Sequence, residues 1–237
     1  MQNVRDVQIA LRQRGYDPGP ADGILGRRTI AAIKEFQKEQ KLFVDGIAGS
    51  ATLSRLFPTG SDKPEAAILV PWYAEASRLM GTREVVGKKH SPIIMGWAEK
   101  LGLWYPSDET AWCGLYVAHC IGATLPNEPL PANPLGARNW AKFGRPLDRP
   151  AVGAVAAFWR GSKSGWLGHV GFIKAVSADG KSLEIRGGNQ NNSVSDAWLS
   201  ADRLLDDGIR WPSTAPLPAG SRIPTSTVGG KLSVSEA

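Results

Sequence analysis

Asp22-Gly23-Ile24-Leu25-Gly26-Arg27-Arg28-Thr29 and Asp45-Gly46-Ile47-Ala48-Gly49-Ser50-Ala51-Thr52 are two copies of one pattern, Asp-Gly-Ile-x-Gly-x-x-Thr, set 23 residues apart. Each copy reads as a turn feeding a helix, because glycine accepts positive φ and an aspartate hydrogen-bonds its own turn. Three amphipathic patterns of helical period surround them. Val4, Val7 and Leu11 mark the first, Ile30, Ile33 and Phe36 the second, and Leu53, Leu56 and Phe57 a short third. Residues 1–57 are therefore expected to form a small three-helix bundle. Asp22 and Asp45 are read as turn-formers ahead of ligands. Tyr16 and Arg27 are surface candidates for contact with a polymer.

Pro58, Thr59, Gly60, Ser61, Asp62, Lys63 and Pro64 combine breakers with polar residues, which predicts a linker over 58–70. Beyond it, helical patterns at 71–80, 92–102, 111–124 and 136–143 precede strand patterns at 153–160, 169–176, 182–187, 193–199 and 208–211. Helices first and an antiparallel sheet afterwards predict an α+β domain over 71–212. Residues 213–237 are rich in Pro, Ser, Thr and Gly and predict a mobile tail or surface wrap.

The chain of 237 residues carries a formal net charge of +6 with a sequence pI of about 9.4. That balance suits an anionic partner or simple solubility. The excess concentrates in 138–174, where Arg138, Lys142, Arg145, Arg149, Arg160, Lys163 and Lys174 face only Asp148. A basic rim on a substrate cleft is the expectation. No motif supports nucleic-acid binding, and no apolar run approaches transmembrane length. Met1 to Gly15 alternates polar and apolar residues, so the expectation is synthesis in a host cytoplasm without a signal peptide.

Cys113 and Cys120 are too few for a disulfide framework and, two turns or about 10 Å apart if on one helix, too far apart for a bridge. Cys113 begins the apolar helix at 111–124, with Asp108 or Thr110 as candidate cap. Helix-start amides stabilise a thiolate and lower its pKa; the alternative is a small buried hydrophobe, the reading given to Cys120. A thiolate needs a base. His119 points about 120° away from Cys113 on the same helix, and His90 lies in a polar loop. His169, in Gly168-His169-Val170-Gly171, opens a strand with glycine on both sides, though an ordinary strand histidine fits the same pattern. Gly187-Gly188-Asn189-Gln190 ends the next strand, where a carboxamide can accept the ring Nδ1 proton or where a turn can stand. Zinc chemistry lacks a His-Glu-x-x-His motif and a convincing ligand set.

Gln8, Leu11, Gly15-Tyr16, Asp22-Gly23, Gly26, Thr29, Phe36-Gln37, Leu42, Asp45-Gly46 and Gly49 resemble the three-helix peptidoglycan-binding domain of wall hydrolases over residues 4–57. The later segments resemble CHAP-type, papain-like cysteine amidohydrolases and peptidases, in versions found in phage endolysins. Those segments are Trp72 with Ala76, Gly81 and Glu84; Pro92-Ile93-Ile94; Trp112-Cys113; Ala137-Arg138-Asn139-Trp140; Gly153; Gly168-His169-Val170-Gly171; and Gly187-Gly188-Asn189-Gln190.

This resemblance implies a Cys113 nucleophile, a His169 base and an Asn189 orienting residue. It implies no cofactor and no metal, and bacterial peptidoglycan as the partner of a monomeric enzyme released to the wall. Many such proteins carry Glu where this chain has Gly187; Glu184 is expected by strand parity to face away from Asn189, which leaves a fourth member open. Of the nine Trp, Trp112 and Trp166 flank the implied pair and are expected, with Gln190, to contact substrate. The bond remains open between a muramoyl–L-alanine amide and a peptide bond of the stem or cross-bridge. An inert wall-binding or phage structural protein is the competing reading.

Overall fold

The computed structural model describes residues 3–57, 70–87, 89–217, 225–226 and 232–233. The linker expected at 58–70 falls, except for Val70, outside the described residues, as does most of the expected tail beyond Leu217. Contacts divide the chain into two compact units, Met1–Arg78 and Leu79–Ala237.

In the first unit, α1 (Val4–Gln13), α2 (Arg27–Glu39) and α3 (Ser50–Leu56) bury Val7, Leu11, Ile33, Phe36 and Leu56 in one core. Asn3 and Asp6 close a reciprocal capping box at the start of α1. A fourth helix, α4 (Pro71–Arg78), also belongs to this unit, with Ala74 against the same core.

The repeat is built around two buried glutamines. Gln8 Nε2 donates to Asp22 Oδ1, the Ile24 carbonyl and Thr29 Oγ1, while its Oε1 accepts from the Gly23 amide. Gln37 does the same one repeat later, donating to Asp45 Oδ1, the Ile47 carbonyl and Thr52 Oγ1 and accepting from the amides of Asp45 and Gly46. Asp22 and Asp45 accept from the amides of Ile24 and Ile47, two residues on, which is an Asx turn. Gly46 has φ 79°, and a Cβ there would sit 2.8 Å from Ile30 Cγ2, so neither its conformation nor its surroundings admit a side chain.

The second unit contains α5 (Pro92–Lys100), α6 (Cys113–Thr124), a short 3-10 helix (Ala137–Lys142) and a sheet. Its strands are β1 (Arg145–Pro146), β2 (Val155–Trp159), β3 (Gly168–Ser177), β4 (Ser182–Gln190), β5 (Ser193–Ser200), β6 (Leu204–Trp211) and β7 (Thr225–Ser226). The order is β1-β6-β2-β3-β4-β5, all antiparallel along that path, with β7 parallel to β3. The α+β expectation holds. Leu115, Tyr116, Val117, Ala118 and Ile121 of α6 are wholly enclosed, as expected of a helix apolar on nearly every face.

Two details matter for the site. β4 runs to Gln190, past the expected end at 187, because Gln190 pairs with Ser193 of β5. Between Gly187 and Gln190 the register shifts, and Asn189 adopts φ 56°. Such a bulge re-aims the side chains after it. At the other end of the sheet, Ser213 and Thr214, where the tail was expected to begin, donate backbone N–H groups to the buried Glu128 carboxylate at 2.7 Å.

Replacing Gln37 by the similarly sized Leu strips donors and acceptors of buried partners, at about 1–3 kcal/mol. We expect the urea midpoint of the first unit's unfolding transition to fall accordingly. An unchanged midpoint would show that the glutamine bonds are incidental to the repeat.

Candidate active site

Cys113 is the first residue of α6, following Trp112 at the cap position. No side chain caps this helix. Asp108, one of the two expected caps, is fully buried and used elsewhere: it accepts from the Val85 and Ser91 amides at 2.8 Å and pairs with His90 Nδ1 at 2.9 Å. Burial alone pushes the Asp108 carboxyl up, but these donors outweigh it and hold it below its ordinary value. His90, expected to be solvated, is thus a half-exposed partner in a knot that fastens the 85–91 loop to the segment leading into Cys113.

Neither cysteine forms a disulfide, and both are buried. Helix-start amides were expected to lower the Cys113 pKa. Instead burial pushes the thiol up, against the opposing pull of the Val170 and Gly114 amides, the Arg160 guanidinium and the Cys113 amide. The physical reason is that the side chain is enclosed, at 2% exposure, and desolvation penalises the charged form more than the amides and the cation favour it.

The Val170 amide at the thiol places Cys113 against the start of β3, where His169 is fully buried and pairs across to Phe158 of β2. Beside them, the end of β4 packs in without side chains. A Cβ on Gly188 would lie 2.7 Å from Tyr116 Cβ and 2.8 Å from the Trp112 ring; one on Gly187 would lie 2.9 Å from His169 Nε2. Only hydrogen fits at either position, so the starts of α6 and β3 and the end of β4 converge. The ring atom that faces the β4 end is Nε2, where the Nδ1 atom was expected.

The other expected site residues divide by burial. Asn189 and Gln190 are enclosed at the end of β4. Trp112 is fully buried, its indole N–H donating to Glu84 Oε2 at 3.3 Å, so it supports the site from behind and offers no wall to a substrate. Gln190 likewise presents no surface. Trp166 is 85% exposed on the loop between β2 and β3, which Arg138 ties down through the carbonyls of Leu167 and Lys163. Glu184 pairs with Lys174 at 2.9 Å and so is committed away from His169. His119 stacks on Trp97, centroids 5.2 Å apart.

The basic segment is used in part within the fold: Arg138 on carbonyls, Lys174 on Glu184 and Asp196, Lys163 on Asp206. Among the described residues, no three His, Cys, Asp or Glu side chains gather as metal ligands, and no helix is long and apolar enough to cross a membrane. Asp108 is hard to recognise from sequence as a loop fastener, since two of its three partners are backbone amides that carry no residue identity.

Residues 1–56 match the family model of a peptidoglycan binding domain, and residues 104–189, which include Cys113 and His169, match that of the CHAP domain. No solved structure matches the chain. Fold and matches define the class: a peptidoglycan-binding domain followed by a CHAP domain, the architecture of a peptidoglycan hydrolase. Within that class the CHAP domain marks the chain as a peptidoglycan amidase or peptidase.

Asp108→Asn replaces one carboxylate oxygen by a donor and sets it against an existing N–H. We expect a loss of about 1–3 kcal/mol at neutral pH. Because the folded pKa lies below the ordinary 3.8, the carboxylate's contribution is complete above that value and is lost as pH falls through the lowered one. The gap between wild type and variant, read from urea midpoints, should therefore close as pH drops below 3.8; a gap independent of pH would remove the carboxylate's charge from the account.

Proposed function

We propose that the protein cleaves an amide bond of peptidoglycan with Cys113 as nucleophile and His169 as general base. The bond is the muramoyl–L-alanine amide or a peptide bond of the stem or cross-bridge. The observation that supports this most is the Val170 amide at the Cys113 thiol, which sets the helix-start cysteine against the strand position next to His169.

Because burial keeps the thiol protonated at rest, His169 takes its proton as sulfur adds to the substrate carbonyl. The first amides of α6 have no partner within the helix. Those of Cys113 and Gly114 act on the sulfur, and in this reading they also hold the oxyanion. The C–N bond then breaks, and protonated His169 delivers its proton to the departing amine. Water, deprotonated by the same ring, cleaves the thioester and restores the thiol. A carboxamide at the end of β4, Asn189 by resemblance, orients the ring without adding negative charge. Exposed Trp166 offers an indole face to the glycan or stem peptide beside this site. In this reading the N-terminal domain holds the chain on the polymer, as in the endolysin-type enzymes it resembles.

The test compares wild type and Cys113→Ala on purified peptidoglycan by turbidity, with mass spectrometry of the released fragments. We expect the variant to lose activity by about 10³-fold or more, and the new amine termini of the wild-type digest to identify the bond. Equal activity in both would remove Cys113 from the chemistry. Wall binding without cleavage by either protein would favour the inert reading.

A further inference from the structure

Gln190 stands one residue beyond the position that the resemblance marks for orienting the ring, and its amide is held in one orientation. Its Nε2 donates to the carbonyls of Ser195, Gly187 and Ile185, at 2.5, 3.3 and 3.4 Å. Turning the amide over would set its oxygen against three carbonyl oxygens, so Oε1 must face the other way. There it lies 3.2 Å from the point a Gly187 Cβ would occupy. His169 Nε2 lies 2.9 Å from that same point, and these two side chains supply every atom nearest to it. Gln190 is 1% exposed, and among the described residues Oε1 accepts no hydrogen bond. A buried carbonyl oxygen without a donor is costly, and His169 Nε2 is the nearest side-chain atom to the point over Gly187 that Oε1 also faces.

We propose that Gln190 is the positioning residue for His169, its Oε1 accepting from Nε2–H across the space left open by Gly187. The proposal rests on the reading of Cys113 and His169 as the reacting pair and deepens it. A carboxamide oxygen only accepts. It therefore selects the tautomer with the proton on Nε2 and leaves Nδ1 as the nitrogen that takes the Cys113 proton. When sulfur bonds to the carbonyl carbon, Sγ–H gives its proton to Nδ1 and Nε2–H stays on Gln190. When the C–N bond breaks, Nδ1–H passes to the amine and the starting tautomer returns. Asn189 Oδ1 is also buried and accepts nothing among the described residues, but it is not among the three heavy atoms nearest the point of a Gly187 Cβ. The bulge decides between the two residues: positions 187 and 190 face opposite sides of a regular strand, and the register shift brings the Gln190 amide back over Gly187. Gly187 is thereby part of the device, since any Cβ would occupy the gap.

The direct test is ¹⁵N NMR of the histidine rings in the full-length wild-type chain, with the His169 signals assigned by their loss in His169→Ala. The expected result is a neutral ring protonated on Nε2 with a bare Nδ1; a ring protonated on Nδ1 overturns the proposal, whatever the variants do. In Gln190→Leu we expect a mixture of tautomers and a fall in kcat of about tenfold or more with KM little changed. In Gln190→Glu we expect the Nε2–H tautomer to persist, and the acid limb of the kcat profile to move to higher pH as the carboxylate stabilises the imidazolium. A tautomer that survives Gln190→Leu but is lost in Asn189→Ala transfers the role to Asn189 and overturns the proposal. The ring tautomer is read without turnover. Failure of the Cys113 mechanism would show as activity in Cys113→Ala, and failure of the Gln190 assignment would show in the ¹⁵N spectrum.

Discussion

At the end of β4 two consecutive glycines let a strand meet a helix and a histidine ring at distances no side chain permits. Gly188 lies under the Trp112 ring and Tyr116, and Gly187 lies under His169 Nε2. Everything proposed about catalysis depends on that contact. It brings the first turn of α6, which carries the thiol, to the strand pair that carries the imidazole. A methyl group at Gly188 would collide with two aromatic residues that are themselves fully enclosed and have nowhere to move. The same absence of side chains opens the space that the Gln190 carboxamide and the His169 ring share.

The electrostatics around the thiol set burial against dipoles. Three backbone amides and a guanidinium favour the thiolate, and desolvation outweighs them. In the proposed mechanism a neutral thiol is workable because the base takes the proton as the bond forms. A few residues upstream the balance falls the other way. Asp108 is equally enclosed, but two amides and an imidazole converge on its two oxygens, so the charged form is favoured. Donors aimed directly at a carboxylate outweigh burial in one case, and burial outweighs more diffuse help in the other.

The first unit shows one solution used twice. Each Asp-Gly turn is closed by a glutamine from the preceding helix, whose amide bonds an aspartate, a carbonyl and a threonine while its oxygen collects turn amides. The aspartates are occupied in this network, which agrees with reading them as turn-formers. Tyr16, considered for polymer contact, packs edge-on against Phe36 and hydrogen-bonds Glu39.

Much of this was legible in the residues themselves. Period and composition located the bundle, the helices before the sheet and the α+β class, because burial of an apolar face imposes its spacing on the chain. The Asp-Gly-Ile repeat announced its turns, since positive φ and Asx bonding restrict residue type locally. Residue type narrowed the candidates for nucleophile and base to a few, and the family resemblance, not spacing, singled out Cys113 and His169 among them. What the sequence could not determine depends on distance between remote segments. Strand parity gave no hint that Gln190 comes back over Gly187, because a bulge breaks the alternation on which parity depends. Trp112 looked like a cleft wall from its place beside Cys113, and only packing shows it enclosed. The thiol's direction of shift is beyond the sequence for the same reason: the helix start is a local feature, whereas desolvation is the sum of every element that closes over the sulfur.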